Sequence, residues 1–64
     1  MNNSVYIRKL MQDIANEVKI GSTYQVLNKL VISMELKYDL QEEEIIKQLE
    51  FILNSVKRES DKSE

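Results

Sequence analysis

Residues 39–58 decide the fold and read DLQEEEIIKQLEFILNSVKR. Apolar side chains recur in this stretch at intervals of three and four, which is the period of a helix that buries one stripe of its surface. The stripe consists of Ile45, Ile46, Leu49, Ile52, Leu53 and Val56. We therefore predict a third helix over 40–58, followed by a polar, disordered tail over 59–64.

The charges at the two ends of this stretch favour the same helix. Glu42–Glu44 lie near its start, where the helix dipole stabilises negative charge, whereas Lys57 and Arg58 lie near its end, where the dipole stabilises positive charge. Asp39 is the predicted N-cap, because Glu42 follows it by three positions as in a capping box. Adjacent helical positions point about 100° apart, so the three glutamates are not expected to converge on one metal ion.

A first helix is predicted over 4–20, with Ser4 as its cap. Its apolar residues follow the same spacing and are Ile7, Leu10, Met11, Ile14 and Val18. Gly21 stands just past its end, where glycine readily adopts the left-handed conformation that closes a helix.

A second helix is predicted over 23–37, where Ser22 and Gln25 form a capping-box pattern. Its predicted buried stripe consists of Tyr24, Leu27, Leu30, Val31, Met34 and Tyr38. Ile32 and Leu36 lie roughly opposite that stripe, so the helix is apolar on two sides. We therefore expect the second helix to be the central one, with a twin or another protein against its second side.

Composition favours an all-α chain. Of 64 residues, none is proline and one is glycine, so the residues that strands, hairpins and long loops require are nearly missing. We predict a single helical domain over 1–64, built as a three-helix antiparallel bundle with short connections. A domain this small is marginally stable alone, and two-fold dimers are the commonest oligomers, so we expect a symmetric dimer packed through the second helix.

Composition also narrows the chemistry. The chain has no cysteine and no histidine, and no phosphate loop, nucleophile motif or metal-ligand spacing is present. We therefore predict a non-enzymatic protein with no catalytic residues, cofactor or metal. No apolar run is long enough to span a bilayer and no signal peptide is recognisable, so we expect a cytoplasmic protein with no membrane partner. Abundant Ile, Lys, Asn and Glu are typical of an AT-rich bacterial or phage genome.

The leading functional hypothesis is a helical interaction protein that regulates or inhibits another protein by occupying its surface. The candidate contacts are the apolar side chains outside the main stripes and the acidic residues at the start of the third helix. They are Ile32, Leu36, Phe51, Leu40, Glu42 and Glu43. Leu40 and Phe51 are expected on one side of the third helix, away from its apolar stripe, with Phe51 as an anchor for a partner.

A second hypothesis is a dimeric DNA-binding regulator. Residues 14–23 read IANEVKIGST and, with the apolar residues that follow, resemble a helix-turn-helix segment. The resemblance implies nucleic-acid contacts through Ser22, Gln25, Asn28 and Lys29. Lys19 stands where glycine is common in that motif. The net charge is −2, although residues 1–32 carry four basic and two acidic side chains, and a dimer would double that basic surface.

A third hypothesis comes from Ser33-Met34-Glu35-Leu36. This tetrapeptide resembles the Ser-Gln-Glu-Leu-Asp motif of the small helical-hairpin aspartyl-phosphate phosphatases that regulate sporulation in bacilli. The resemblance implies a sporulation regulator of that kind. Met34 and Lys37 stand where the family has Gln and Asp, so the acidic group that such an activity would be expected to use is missing here.

Overall fold

The computed structural model describes the backbone of residues 3–62 and the side chains of residues 3–59. Three helices form, and they are α1 (Asn3–Val18), α2 (Thr23–Leu36) and α3 (Glu42–Lys62). They pack together and residues 3–62 contain no strand, which confirms the predicted all-α bundle.

Two side-chain hydrogen bonds fix the direction of α1 and α3. The Asn3 amide donates to Glu42 at 3.5 Å, and the Tyr6 hydroxyl donates to Glu50 at 2.9 Å. Later residues of α1 therefore meet later residues of α3, so the two helices run in the same direction. The connections at 19–22 and 37–41 are short, so α2 must run back between the far end of α1 and the start of α3.

The core is formed by one apolar stripe from each helix. Its members are Ile7, Leu10, Met11, Ile14, Leu27, Val31, Met34, Ile45, Leu49 and Leu53. Helix α1 packs most extensively against α3, less against α2, and α2 and α3 barely approach each other. The prediction that the second helix is central was therefore wrong, because α1 is the helix that both others contact.

The end of α1 and the connection to α2 differ from the prediction. Helix α1 ends at Val18, and Lys19 adopts the left-handed conformation with φ 63°, while its N–H still donates to Ala15. Gly21 has no positive φ, so the expected glycine cap is absent. Ser22 precedes α2 with helical dihedrals and no side-chain capping bond, so its capping box does not form.

The start of α3 also departs from the prediction. Asp39 adopts φ 52° in the connection and does not cap α3. The N–H of the next residue, Leu40, donates a hydrogen bond to the Met34 carbonyl. Helix α3 begins at Glu42, with the Gln41 carbonyl accepting the first helical hydrogen bonds. Aspartate tolerates this conformation better than most residues, so it suits the turn.

The outer ends of α1 and α3 differ from the prediction in length. Ser4 lies inside α1 rather than before it. Helix α3 continues to Lys62, so the expected disordered tail is helical over residues 59–62. Residues 63 and 64 of the predicted tail lie outside the described residues.

Candidate protein-binding surface

Helix α2 is apolar around most of its circumference. Eight of its 14 residues are apolar, but only Leu27, Val31 and Met34 are buried in the core. Four others remain largely accessible, and they are Val26, Leu30, Ile32 and Leu36. A helix that is apolar on all sides normally lies inside a larger protein, whereas this one lies at the edge of a small bundle.

We call the side of this helix that lies away from the core, together with Lys37 just past its end, the α2 surface. It consists of Gln25, Val26, Lys29, Leu30, Ile32, Ser33, Leu36 and Lys37. Its most exposed apolar member is Leu36, at 83%. Ile32, Ser33, Leu36 and Lys37 line a shallow depression, in which the small Ser33 side chain leaves room between its larger neighbours. The depression gives an incoming apolar side chain a place to pack.

The apolar character continues past both ends of α2. Ile20, in the preceding connection, and Tyr38, in the following one, are both exposed. Leu30 and Tyr38 had been predicted in the buried stripe, and the structure places them outward instead. A signal for this was present in the sequence, because a 14-residue helix with eight apolar residues has more of them than one bundle face can cover.

The charges of the α2 surface are both positive. Lys29 and Lys37 lie among the exposed apolar residues, where their methylene stems can add to the apolar area while the ammonium groups stay in water. Glu35, the acidic residue of α2, lines a different depression shared with Arg8 of α1 and Glu42 of α3. The α2 surface is therefore an apolar area with a basic border.

The predicted contacts on α3 are not all brought together. Phe51 is 70% exposed on the side away from the core, as expected for a surface anchor. Leu40, predicted beside it, lies in the connection and packs against the core instead. Glu43 is exposed, whereas Glu42 is half-buried and accepts the hydrogen bond from Asn3. Phe51 therefore lacks its expected apolar companion.

The residues predicted to contact nucleic acid are all exposed, but they do not form a separate surface. They are Ser22, Gln25, Asn28 and Lys29. Gln25 and Lys29 share one face of α2 with Ile32 and Leu36, because the intervals between them are four, three and four. Asn28 lies toward α1, in the depression that Glu35 and Arg8 also line. The face that would meet DNA thus carries more leucine and isoleucine than lysine.

The phosphatase-like tetrapeptide, residues 33–36, forms the last turn of α2. Met34, at the position of the family's glutamine, is buried in the core, and Ser33 is half-buried. Glu35 is exposed, and Lys37 lies just past the end of the helix. The residue at the glutamine position is therefore part of the packing between helices.

A polar contact that sequence reasoning missed joins α1 to α3. Tyr6 is half-buried, and the hydrogen bond from its hydroxyl to Glu50 raises the pKa of Tyr6 above its ordinary value of 10.0. The nearby negative charge of Glu50 acts in the same direction, because it disfavours a second anion. The two residues are separated by 44 positions, and no local pattern in the sequence connects them.

Comparisons with family models, with curated proteins and with solved structures found no match to this chain. Within the described residues, no helix combines the length and apolar character needed to cross a membrane. The described residues also contain no group of three or more His, Cys, Asp or Glu side chains that could hold a metal ion.

Proposed function

We propose that this chain is a small, non-enzymatic regulatory protein that binds another protein through the α2 surface. The observation that carries the proposal is the placement of Val26, Leu30, Ile32 and Leu36 outside the core of their own chain. Several exposed apolar side chains on one short helix are typical of an interaction surface.

The mechanism follows from the chemistry of that surface. Leu36, with the depression beside Ser33, suits packing against the apolar groove or helix of a partner, and removing both apolar areas from water favours association. Lys29 and Lys37 at the border would orient a partner with acidic groups and increase its association rate. The bound chain would then act by covering the partner's surface.

Paired substitutions in the α2 surface test this proposal. In affinity capture from the cells in which the protein occurs, Ile32→Glu combined with Leu36→Glu should lose the partner that the unchanged protein retains. Val5→Glu is the matched control, because Val5 is 59% exposed and lies on α1, outside the α2 surface. Retention of the same partner by the double variant, with its helices intact by circular dichroism, would contradict the proposal.

The same protein preparation should be titrated with duplex DNA at low salt. Because Gln25 and Lys29 lie on the α2 face, a DNA-binding function predicts an affinity that falls with salt and is lost in Gln25→Ala with Lys29→Ala. The proposed protein-binding function predicts no such salt-dependent complex. Salt-sensitive binding that requires Gln25 and Lys29 would therefore replace the present proposal with the DNA-binding alternative.

A further inference from the structure

The α2 surface is positively charged in a chain whose net charge is negative. The chain has 11 acidic and 9 basic side chains, but residues 18–34 contain no aspartate or glutamate. Lys29 and Lys37 are both exposed, and no acidic residue lies three or four positions from either of them, where a helical neighbour would pair with it. The neighbouring positions on the helix therefore supply no carboxylate to either lysine.

Lysines on the other two helices are placed differently. Lys9 of α1 pairs with Asp13 at 3.4 Å, and Lys47 of α3 pairs with Glu44 at 3.8 Å. Each of these pairs joins two residues of one helix that are three or four positions apart. On α2 the positive charge is left for a group outside the helix to balance.

The side chains of the α2 surface form rows of positions four apart. One row contains Ile32 and Leu36, and the next contains Lys29, Ser33 and Lys37. Lys37 follows α2 with helical dihedral angles, so the second row extends to it. The depression beside Ser33 lies between the two rows, because two residues of each line it. A groove between two such rows accepts a row of side chains from another helix, and the two axes then cross at about −50°.

The basic row has a small side chain at its centre. Ser33 lets a second helix approach closely at that point, while Lys29 and Lys37 stand about one turn before it and one turn after it. At 1.5 Å per residue the two lysines are about 12 Å apart along the axis. Carboxylates about seven or eight positions apart on the second helix have the same spacing, and the long lysine side chains reach them as the axes diverge.

We infer that the partner presents an acidic amphipathic helix to the α2 surface. An apolar residue of that helix enters the depression beside Ser33, and aspartate or glutamate side chains on either side of it meet Lys29 and Lys37. The inference rests on the proposed function, since it names the chemistry of the partner at the same surface. A second copy of this chain would place lysine against lysine, and a fluid anionic membrane has no side chain in a fixed position to fill the depression.

A display library of helical peptides tests the inference. Each peptide is an alanine-rich helix with an apolar residue at its centre, and Glu, Gln or Lys is allowed at the positions three and four residues before and after it. Selection on the immobilised full chain should enrich Glu on both sides of the apolar residue. Selection on Lys29→Glu combined with Lys37→Glu should enrich Lys instead, because reversing the charge of the surface reverses the charge that it attracts.

Affinities of one enriched peptide, measured by fluorescence anisotropy, give the size of the effect. The double charge reversal should weaken binding at least about tenfold, and a peptide with Lys in place of its Glu residues should recover the loss. Leu36→Glu should also weaken binding, whereas Val5→Glu lies outside the α2 surface and should leave it unchanged. Circular dichroism checks that each variant keeps its helices.

Three results of the selections would overturn the acidic helix. They are no enriched peptide, enrichment of Gln or Lys by the unchanged chain, and enrichment of Glu that the charge reversal does not alter. Binding to vesicles of phosphatidylcholine and phosphatidylserine that requires Leu36, with no peptide enriched, would overturn it in favour of an anionic membrane.

The capture experiment separates this inference from the proposed function. Capture that depends on Ile32 and Leu36, without a preference for Glu in the library, would remove the acidic helix and leave the proposed function in place. The predicted preference for Glu, with capture that does not depend on those residues, would support recognition of an acidic helix and contradict the proposed function.

Discussion

The pair α1–α3 and the helix α2 are built in different ways. Ile45 and Leu49 of α3 are completely buried, and two hydrogen bonds to Glu42 and Glu50 tie α1 to α3. Helix α2 barely approaches α3, and much of its apolar surface stays in contact with water. The comparison indicates that α1 and α3 form the packed scaffold, while α2 carries the exposed apolar surface through which we propose that the chain binds a partner.

The largest expected effect is on the free energy of unfolding, when a buried leucine of the α1–α3 pair is replaced by alanine. The same replacement of an exposed leucine on α2 provides the comparison. Leu49→Ala opens a cavity between α1 and α3 and should cost about 2–5 kcal/mol, enough to unfold much of so small a domain. Leu36→Ala removes a side chain that is mostly in water and should change the free energy of unfolding by less than about 0.5 kcal/mol in dilute solution. Urea denaturation followed by circular dichroism measures both.

Equal losses of stability in these two variants would contradict the division between scaffold and binding surface. Leu53→Ala serves as a second variant on the scaffold side, because Leu53 is also buried on α3. Its loss should be closer to that of Leu49→Ala than to that of Leu36→Ala.

A smaller effect is expected in the connection that joins α2 to α1. Lys19 holds φ 63°, so Lys19→Gly removes the strain of a side chain in the left-handed region and should stabilise the fold by about 0.5–1 kcal/mol. Gly21 has no positive φ, and nothing lies within 4 Å of an added Cβ, so Gly21→Ala should stabilise by about 0.4–1 kcal/mol. Thermal unfolding of the two variants measures both changes.

The two variants also show which residue after α1 adopts the left-handed conformation. A destabilising Gly21→Ala together with a neutral Lys19→Gly would indicate that Gly21 is the left-handed residue after all. The connection described here would then be wrong, and so would the start of α2.

The smallest effect concerns the hydrogen bond between Tyr6 and Glu50. Because the folded protein raises the pKa of Tyr6, the neutral phenol stabilises the fold below about pH 10, and this contribution is lost as the pH rises through the raised pKa. Tyr6→Phe should therefore be slightly less stable near pH 7. The difference from the unchanged protein should shrink or reverse as the pH rises through the raised pKa of Tyr6, because a phenolate would then face the Glu50 carboxylate.

Melting temperatures of the two proteins from about pH 7 to above about pH 10 measure the effect, because the two proteins differ only in the Tyr6 hydroxyl. A difference that stays constant with pH would indicate that the Tyr6 hydroxyl does not bind Glu50. One tie between α1 and α3 would then be absent.

The sequence predicted the helices well because their core positions follow helical spacing. Every buried residue of α1 and α3, from Ile7 to Leu53, belonged to a predicted stripe. The turns were harder, since Lys19 and Asp39 take the left-handed conformation that glycine usually takes. Those choices depend on how the helices meet, which local residue preference does not encode.

The candidate surface was only partly predictable, for a physical reason. Ile32 and Leu36 stood out because they lie opposite the core residues of their own helix, and both are exposed. Leu30 was assigned to the core because spacing alone does not tell how much of a helix its neighbours cover. Since α1 takes the central position, α2 is covered on one side only, and Leu30 falls outside.

Residue-resolved amide hydrogen exchange tests the central claim most directly. The account predicts that α2 exchanges faster than α1 and α3, because much of its apolar surface is in water and it barely approaches α3. Protection in α2 equal to that in α1 and α3 would contradict the division between a scaffold of α1 and α3 and an exposed helix α2.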